Sequence, residues 1–137
     1  MRYIKKIAVI SLAMLVVLGG TQADVFAATQ FAPFTFSTTP NSECYYSVVT
    51  ASKANQVMNW NVTFTLAAGV PGSMDPPLVV SGKKGDNLTS LPPVEIGMGS
   101  RNGSYRDVSK TNYTMYASGN ENNPYSYTVT IAGYYTP

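Results

Sequence analysis

Strict alternation of apolar and polar residues is the feature that most constrains how this chain can fold. Residues 60–66, 94–98 and 125–131 each place an apolar side chain at every second position. Because successive side chains of a strand point to opposite faces, a period of two predicts half-buried β-strands and not helices. The side chains predicted to face inward are Trp60, Val62, Phe64, Leu66, Val94, Ile96, Met98, Tyr125, Tyr127, Val129 and Ile131.

Shorter strand candidates complete the pattern, and turn-forming residues separate them. The shorter candidates, rich in β-branched and aromatic residues, are 34–37, 45–50, 78–81 and 113–117. Segments rich in Gly, Pro, Asn and Ser predict loops at 69–77, 82–87, 91–93, 99–104 and 118–124. About seven short strands at this spacing predict an all-β protein, an antiparallel β-sandwich forming one domain over residues 28–137.

Three local features refine this prediction. The dipeptide Asn102-Gly103 is typical of a tight turn, because both residues tolerate positive φ. Residues 120–124 are expected to close a hairpin between the strands 113–117 and 125–131. Residues 28–33 are expected to be a mobile leader before the first strand.

The first 27 residues predict export. Basic residues near the N-terminus precede an apolar run at 7–18 in which Ser11 is the one polar residue, and Val25-Phe26-Ala27 resembles a cleavage site. The apolar run is shorter than the roughly 20 residues that span a bilayer. We therefore predict a signal peptide over 1–27, a mature chain from Ala28, and a secreted protein that is extracellular or loosely bound to the cell surface. The alternative is that this segment is retained as an N-terminal anchor. If the segment is cleaved, we expect no membrane partner for the mature chain.

Charge and residue chemistry argue against several classes of function. The six basic and six acidic residues of 28–137 cancel, which disfavours nucleic acid as a partner. The chain has no histidine, the commonest general base and metal ligand, and one cysteine cannot form a thiolate zinc site. We therefore predict no enzymatic activity, no cofactor and no metal. A small hydrolase using paired carboxylates is a less favoured hypothesis.

Cys44 is the only cysteine, so an intramolecular disulfide is impossible. Three alternatives stay open at this point: a small buried residue, a free surface thiol or an intermolecular disulfide. The domain must therefore be stabilised by core packing and sheet hydrogen bonds.

Tyrosines provide the candidate contact surface. Tyrosine is amphipathic and is enriched where proteins meet ligands or partners. Trp60, Tyr125 and Tyr127 fall on faces predicted to point inward, whereas Tyr46, Tyr116 and Tyr134 are candidates for an exposed surface. A strip of exposed tyrosines would fit a carbohydrate- or cell-wall-binding module.

The order of several motifs resembles a family of small exported proteins of unknown function from Gram-positive bacteria. The resemblance rests on a signal peptide followed by 34–36 (Phe-Thr-Phe), 59–63 (Asn-Trp-Asn-Val-Thr), the strand 127–131 and the terminal segment 132–137. Some members lie near bacteriocin and export genes, which implies an extracellular binding or bacteriocin-system accessory role. The implied partner is an unknown protein or a cell-wall glycan, and the resemblance implies no catalytic residue.

Overall fold

The computed structural model describes residues 28–53, 56–105 and 109–137, whose regular secondary structure is almost entirely antiparallel strand. The predicted signal peptide lies outside these residues. The elements are β1 (Thr29–Ser37), β2 (Tyr46–Ser52), β3 (Asn59–Ala68), β4 (Leu78–Gly82), a 3₁₀ helix (Leu88–Ser90), β5 (Val94–Glu95), β6 (Gly99–Ser104), β7 (Asn112–Ser118) and β8 (Thr128–Thr136).

The strands form two four-stranded sheets, and their inner sides share one hydrophobic core. The first sheet has the order β1-β8-β3-β6, and the second has the order β2-β7-β4-β5. Buried side chains from both sheets belong to a single cluster, so the predicted antiparallel β-sandwich is confirmed. Among the largest buried contributors are Trp60, Phe64 and Tyr135 from the first sheet and Tyr113 and Met115 from the second.

The chain changes sheet at every connection except the one between β4 and β5. This path corrects the predicted hairpin between 113–117 and 125–131. β7 pairs with β2 and β4 in the second sheet, whereas β8 pairs with β1 and β3 in the first. Residues 119–127 therefore cross between the sheets, and local turn chemistry does not reveal which neighbours the flanking strands choose.

Residues 29–33 are not a mobile leader but the first half of β1. Thr29 pairs with Tyr135 of β8, and the register shifts between Phe31 and Phe34. Pro33 lies in that shift, on an edge strand, where a missing backbone N–H is tolerated. The strand is defined by its pairing with the distant β8, which local sequence does not reveal.

Residues 99–104 also form a strand, β6, instead of the predicted loop and tight turn. Gly103 pairs with Trp60 across the sheet. A Cβ built on Gly103 would lie 2.1 Å from Cε2 of the indole, so glycine at this position leaves room for Trp60. Glycine often indicates a turn, but at position 103 it allows the indole of Trp60 to pack over a strand.

Three side chains predicted to face inward are exposed instead. A register shift between Phe64 and Leu66 interrupts the alternation in β3, so that Leu66 is exposed. Met98 lies beyond the end of the two-residue strand β5, and Tyr125 lies before the start of β8. Tyr125 is 67% exposed, whereas Tyr127 packs partly buried against the core.

Candidate functional site

The three tyrosines predicted as a contact surface do not form a strip. Tyr134 points outward from the first sheet and is 42% exposed. Tyr116 is half-buried, and pairs with Val80 on the outer side of the second sheet. Tyr46 occupies a core-facing register position on β2, with its ring 5.8 Å from that of Phe36. Of the three, only Tyr134 lies on a broad open face.

The outer side of the first sheet is an uncharged surface that we call the polar face. The only charged residue in the described strands of this sheet is Arg101, on β6. Arg101 pairs with Val62, an inward-facing position, and so does not belong to the outer side. Its polar residues include Gln30, Thr35, Ser37, Asn61, Thr63, Ser100, Asn102, Thr128, Thr130, Tyr134 and Thr136, and the apolar Leu66, Ala68 and Ala132 lie on the same side of the sheet. Its hydroxyl and amide groups both donate and accept hydrogen bonds, so the face suits a neutral polar ligand.

Cross-strand hydrogen bonds hold the polar face in order. The hydroxyls of Thr35 and Thr130 lie 2.8 Å apart, as do those of Thr63 and Ser100. The Asn61 amide nitrogen donates to Asn102 Oδ1 at 2.9 Å. No residue in the described part of the chain accepts from Asn102 Nδ2, which leaves that amide nitrogen to donate outward. Paired side chains lose less freedom when they bind, which favours recognition.

A cleft of about 180 Å³ opens beside this face, and we call it the Trp60 cleft. Its lining is uncharged and combines an aromatic ring with amide, hydroxyl and aliphatic groups. The lining residues are Val57, Asn59, Trp60, Asn61, Asn102, Thr136 and Pro137. Because Asn61, Asn102 and Thr136 also belong to the polar face, the cleft and the face are one continuous surface.

The indole nitrogen of Trp60 is a buried donor without an acceptor among the described residues. Trp60 is 2% exposed and packs edge-to-face against Tyr135, with ring centroids 6.4 Å apart. An unsatisfied buried N–H costs about 1–3 kcal/mol, and such groups in native proteins call for an explanation. This donor lies against Gly103, and Trp60 also lines the Trp60 cleft.

Tyr134 lies one step along the sheet from the cleft. Thr136 pairs with Asn61, and Tyr134 pairs with Thr63 two residues further along β3. Two residues of a strand span about 7 Å. An aromatic ring and a cleft with an aromatic wall are thus separated by roughly the length of one sugar unit, with amide and hydroxyl groups between them.

A second polar group lies inside the sandwich, and sequence analysis did not identify it. Ser81 Oγ lies 2.8 Å from the hydroxyl of Tyr105 and also bonds to that of Tyr135. Lys53 Nζ lies 4.4 Å from the centre of the Tyr105 ring. Burial raises the pKa of Tyr135 to about 12 and lowers that of Lys53. Ser81 is only 2% exposed, and its bond to Tyr135 connects the two sheets.

The structure also locates side chains that acid–base or metal chemistry would use. Asp86 lines a cleft of about 180 Å³ whose described lining contains no second carboxylate. Within 28–53, 56–105 and 109–137, no three His, Cys, Asp or Glu residues come together as metal ligands. Cys44 is exposed, which removes the buried alternative and leaves a surface thiol or an intermolecular disulfide.

Comparisons with known proteins leave the surface itself as the guide to function. In the described part of the chain, no helix is both long and apolar enough to cross a membrane. The chain has no significant match to a protein-family model, a curated protein or a solved structure.

Proposed function

We propose that the mature protein is a secreted, non-enzymatic binding module that holds a neutral cell-wall glycan on its polar face and in the Trp60 cleft. The observation that carries this proposal is the continuity of an uncharged, hydroxyl- and amide-bearing face with a cleft containing Trp60. The predicted role as an accessory protein of a bacteriocin system stays a prediction.

Sugar chemistry fits this surface on two counts. A pyranose ring has a flat face of C–H groups and a rim of hydroxyls that both donate and accept hydrogen bonds. Tyr134 offers an exposed ring for the flat face, while Asn61, Asn102 and Thr136 offer both donors and acceptors for the rim. A charged ligand would have no opposite charge to meet on these side chains.

The unsatisfied donor of Trp60 supports the same ligand class. A glycan hydroxyl oxygen that entered the Trp60 cleft could accept the indole N–H and offset its desolvation. The ligand would then supply the hydrogen-bond acceptor that the indole N–H lacks in the free protein. A small hydroxylated group suits a cleft of about 180 Å³ better than a bulky side chain does.

The test measures binding of the mature protein to purified peptidoglycan from which anionic polymers have been removed. We expect Tyr134→Ala and Asn102→Ala each to weaken binding about tenfold, which corresponds to about 1.4 kcal/mol. Tyr125→Ala is the matched control, because this tyrosine is more exposed but lies off the polar face.

Failure of the parent protein to bind peptidoglycan would contradict the proposal. Equal losses for Tyr125→Ala and Tyr134→Ala would also contradict it, because the interaction would then depend on exposed aromatic residues in general. Unfolding of each variant in urea shows whether the substitution has changed the fold.

A further inference from the structure

Strand β6 is a free edge of the first sheet, and its backbone is more regular than that of the other edges. The edge strands of the two described sheets are β1, β2, β5 and β6. β1 contains Pro33 and a register shift, β2 contains a register shift after Ser47, and β5 is only two residues long. β6 contains no proline and pairs with β3 over six consecutive residues without a shift. Because proline, bulges and short length protect edge strands from further pairing, β6 is the edge most open to another strand.

The register shows which backbone groups of β6 point away from β3. In an antiparallel pair, residues that bond to their partner through the backbone alternate with residues whose N–H and C=O point to the other side. The N–H of Tyr105 donates to the carbonyl of Met58 at 2.6 Å, so these two residues form a bonded pair. The backbone groups that point away from β3 therefore belong to Ser100, Asn102 and Ser104.

Side-chain contacts across the two strands agree with this alternation. Side chains come closer together in the pairs that lack backbone bonds. The Asn61 amide nitrogen lies 2.9 Å from Asn102 Oδ1, and the hydroxyls of Thr63 and Ser100 lie 2.8 Å apart. Asn102 and Ser100 therefore direct their backbone N–H and C=O groups towards the free edge.

The first half of this edge is protected by a charged side chain, and the second half is open. Arg101 Nη1 donates to the Ser100 carbonyl at 3.0 Å, which places a charged group at that end of β6. The outward backbone groups of Asn102 and Ser104 have no hydrogen-bond partner in the described part of the chain. These two residues thus present two N–H and two C=O groups at the spacing of a strand, about 7 Å apart.

A groove of about 470 Å³ lies along the open half of β6, and we call it the edge groove. One wall is formed by β6, and the other by Pro92, Pro93 and Val94 beside the edge of the second sheet. The described lining contains no charged residue and consists of Asn59, Pro92, Pro93, Val94, Asn102, Gly103 and Ser104. The volume falls within the range of ligand pockets, roughly 300–1,000 Å³.

We propose that the edge groove binds an extended, uncharged polypeptide segment, which adds to β6 as a further strand. The backbone of such a segment repeats its N–H and C=O groups at the spacing that Asn102 and Ser104 present. Apolar side chains of the segment would contact Pro92, Pro93 and Val94, and a charged side chain would meet no opposite charge in the described lining. This site goes beyond the glycan site, because it takes a polypeptide and recognises it through the backbone of β6.

A second copy of this chain fits the edge groove less well than a single strand does. Two copies joined in antiparallel fashion through β6 would be related by a two-fold axis perpendicular to the sheet. Both copies would then bring their walls of residues 92–94 to the same side of the joined sheet, where the walls would compete for the space of the groove. A single extended segment carries no such wall.

The test follows backbone amide exchange of the mature protein by NMR while the uncharged peptide acetyl-Thr-Val-Thr-Val-Thr-amide is added. We expect saturating peptide to slow exchange of the N–H groups of Asn102 and Ser104 at least about tenfold, because they become hydrogen-bonded. The N–H groups of Arg101 and Gly103 already bond to β3 and should change little. The same peptide with its three central amides N-methylated is the control ligand and should give no protection.

A pair of substitutions at one position separates backbone from side-chain recognition. Ser104→Pro removes an outward N–H and no bond to β3, and proline is tolerated on edge strands. We expect it to weaken binding of the peptide about fivefold, the effect of losing one hydrogen bond. Ser104→Ala is the matched control, because it keeps the N–H and removes only the hydroxyl, and its effect should be less than about twofold.

Four results would overturn the proposal. The first is an absence of protection at Asn102 and Ser104, and the second is an equal loss of binding in the two variants of Ser104. The third is protection of the same amides by self-association without peptide, which would favour a second copy. The fourth is their protection by a soluble peptidoglycan glycan but not by the peptide, which would favour a longer glycan site.

The amide exchange of the parent protein decides the question even if Ser104→Pro unfolds. Asn102→Ala keeps its backbone groups, so it should weaken glycan binding and retain peptide binding. Tyr134→Ala should likewise retain full affinity for the peptide. Failure of the glycan proposal and failure of this one are therefore distinguishable.

Discussion

Tyr134 and Tyr135 are chain neighbours with the same side chain, yet they occupy opposite environments. Tyr135 is fully buried, packs against Trp60 and bonds to Ser81 of the second sheet. Tyr134 points outward and pairs with Gln30 and Thr63 on the polar face. The comparison teaches that the side of the sheet, and not residue type, assigns a tyrosine to stability or to recognition.

The same contrast extends over the whole first sheet. The inner side is apolar and aromatic, so the free energy of folding depends on how closely its residues pack. The outer side is uncharged and mostly polar, and its polar residues contact solvent and one another. Substitutions on the two sides should therefore separate loss of stability from loss of binding.

The largest effect is expected for Trp60→Ala. The substitution removes the largest fully buried side chain and leaves a cavity between the sheets, which costs about 3–5 kcal/mol. Urea unfolding of the mature protein measures this loss. A variant that kept its stability but lost glycan binding would show that Trp60 belongs functionally to the outer side.

A smaller effect is expected for Gly103→Ala. The new Cβ would lie 2.1 Å from Trp60 Cε2, so the indole must shift, and overpacking of this kind costs about 1–3 kcal/mol. Gly72→Ala is the control, because no atom lies within 4 Å of its Cβ position. If urea unfolding showed the same stability for both variants, the predicted clash with the indole would be absent.

The smallest inner-side effect is expected for Tyr135→Phe. It removes one hydroxyl from the bonds to Ser81 and costs about 1 kcal/mol at neutral pH. Tyr134→Phe, on the outer side, should change stability by less than about 0.5 kcal/mol. Chemical unfolding of both variants measures this difference, and equal changes would contradict the contrast between the two sides.

Tyr135 also predicts a pH dependence. Its pKa is raised to about 12 in the folded protein and is about 10 when unfolded, so the folded state binds more protons between these values. Stability that is fully present below pH 10 is therefore lost as the pH rises towards 12. The free energy of unfolding, measured across this range, should fall less steeply with pH in Tyr135→Phe than in the parent protein. Other buried tyrosines, such as Tyr105, should still contribute part of the pH dependence.

Much of the fold was predictable because local alternation survives in the structure. Trp60, Val62 and Phe64 point inward from β3 as the pattern indicates, and Val129 and Ile131 do so from β8. The prediction was wrong at Leu66, where a bulge shifts the register. A bulge is set by pairing with a distant strand, so the local pattern does not reveal it.

The candidate site was predicted only at Tyr134. The Trp60 cleft brings together residues of β3, β6 and β8 with Val57 and Pro137, and the segment forming β6 has the composition of a turn. Gly103 became recognisable as a strand residue only when its pairing with Trp60 was known.

The sequence by itself determined the fold class and the alternation of inner and outer residues, because these depend on side-chain direction within single strands. It also determined the charge balance of residues 28–137 and the absence of histidine, which restrict the available chemistry. Only the tertiary structure decided which strands pair and which residues share a cleft. These properties depend on contacts between residues far apart in the chain, and the cooperative packing of two sheets selects those contacts.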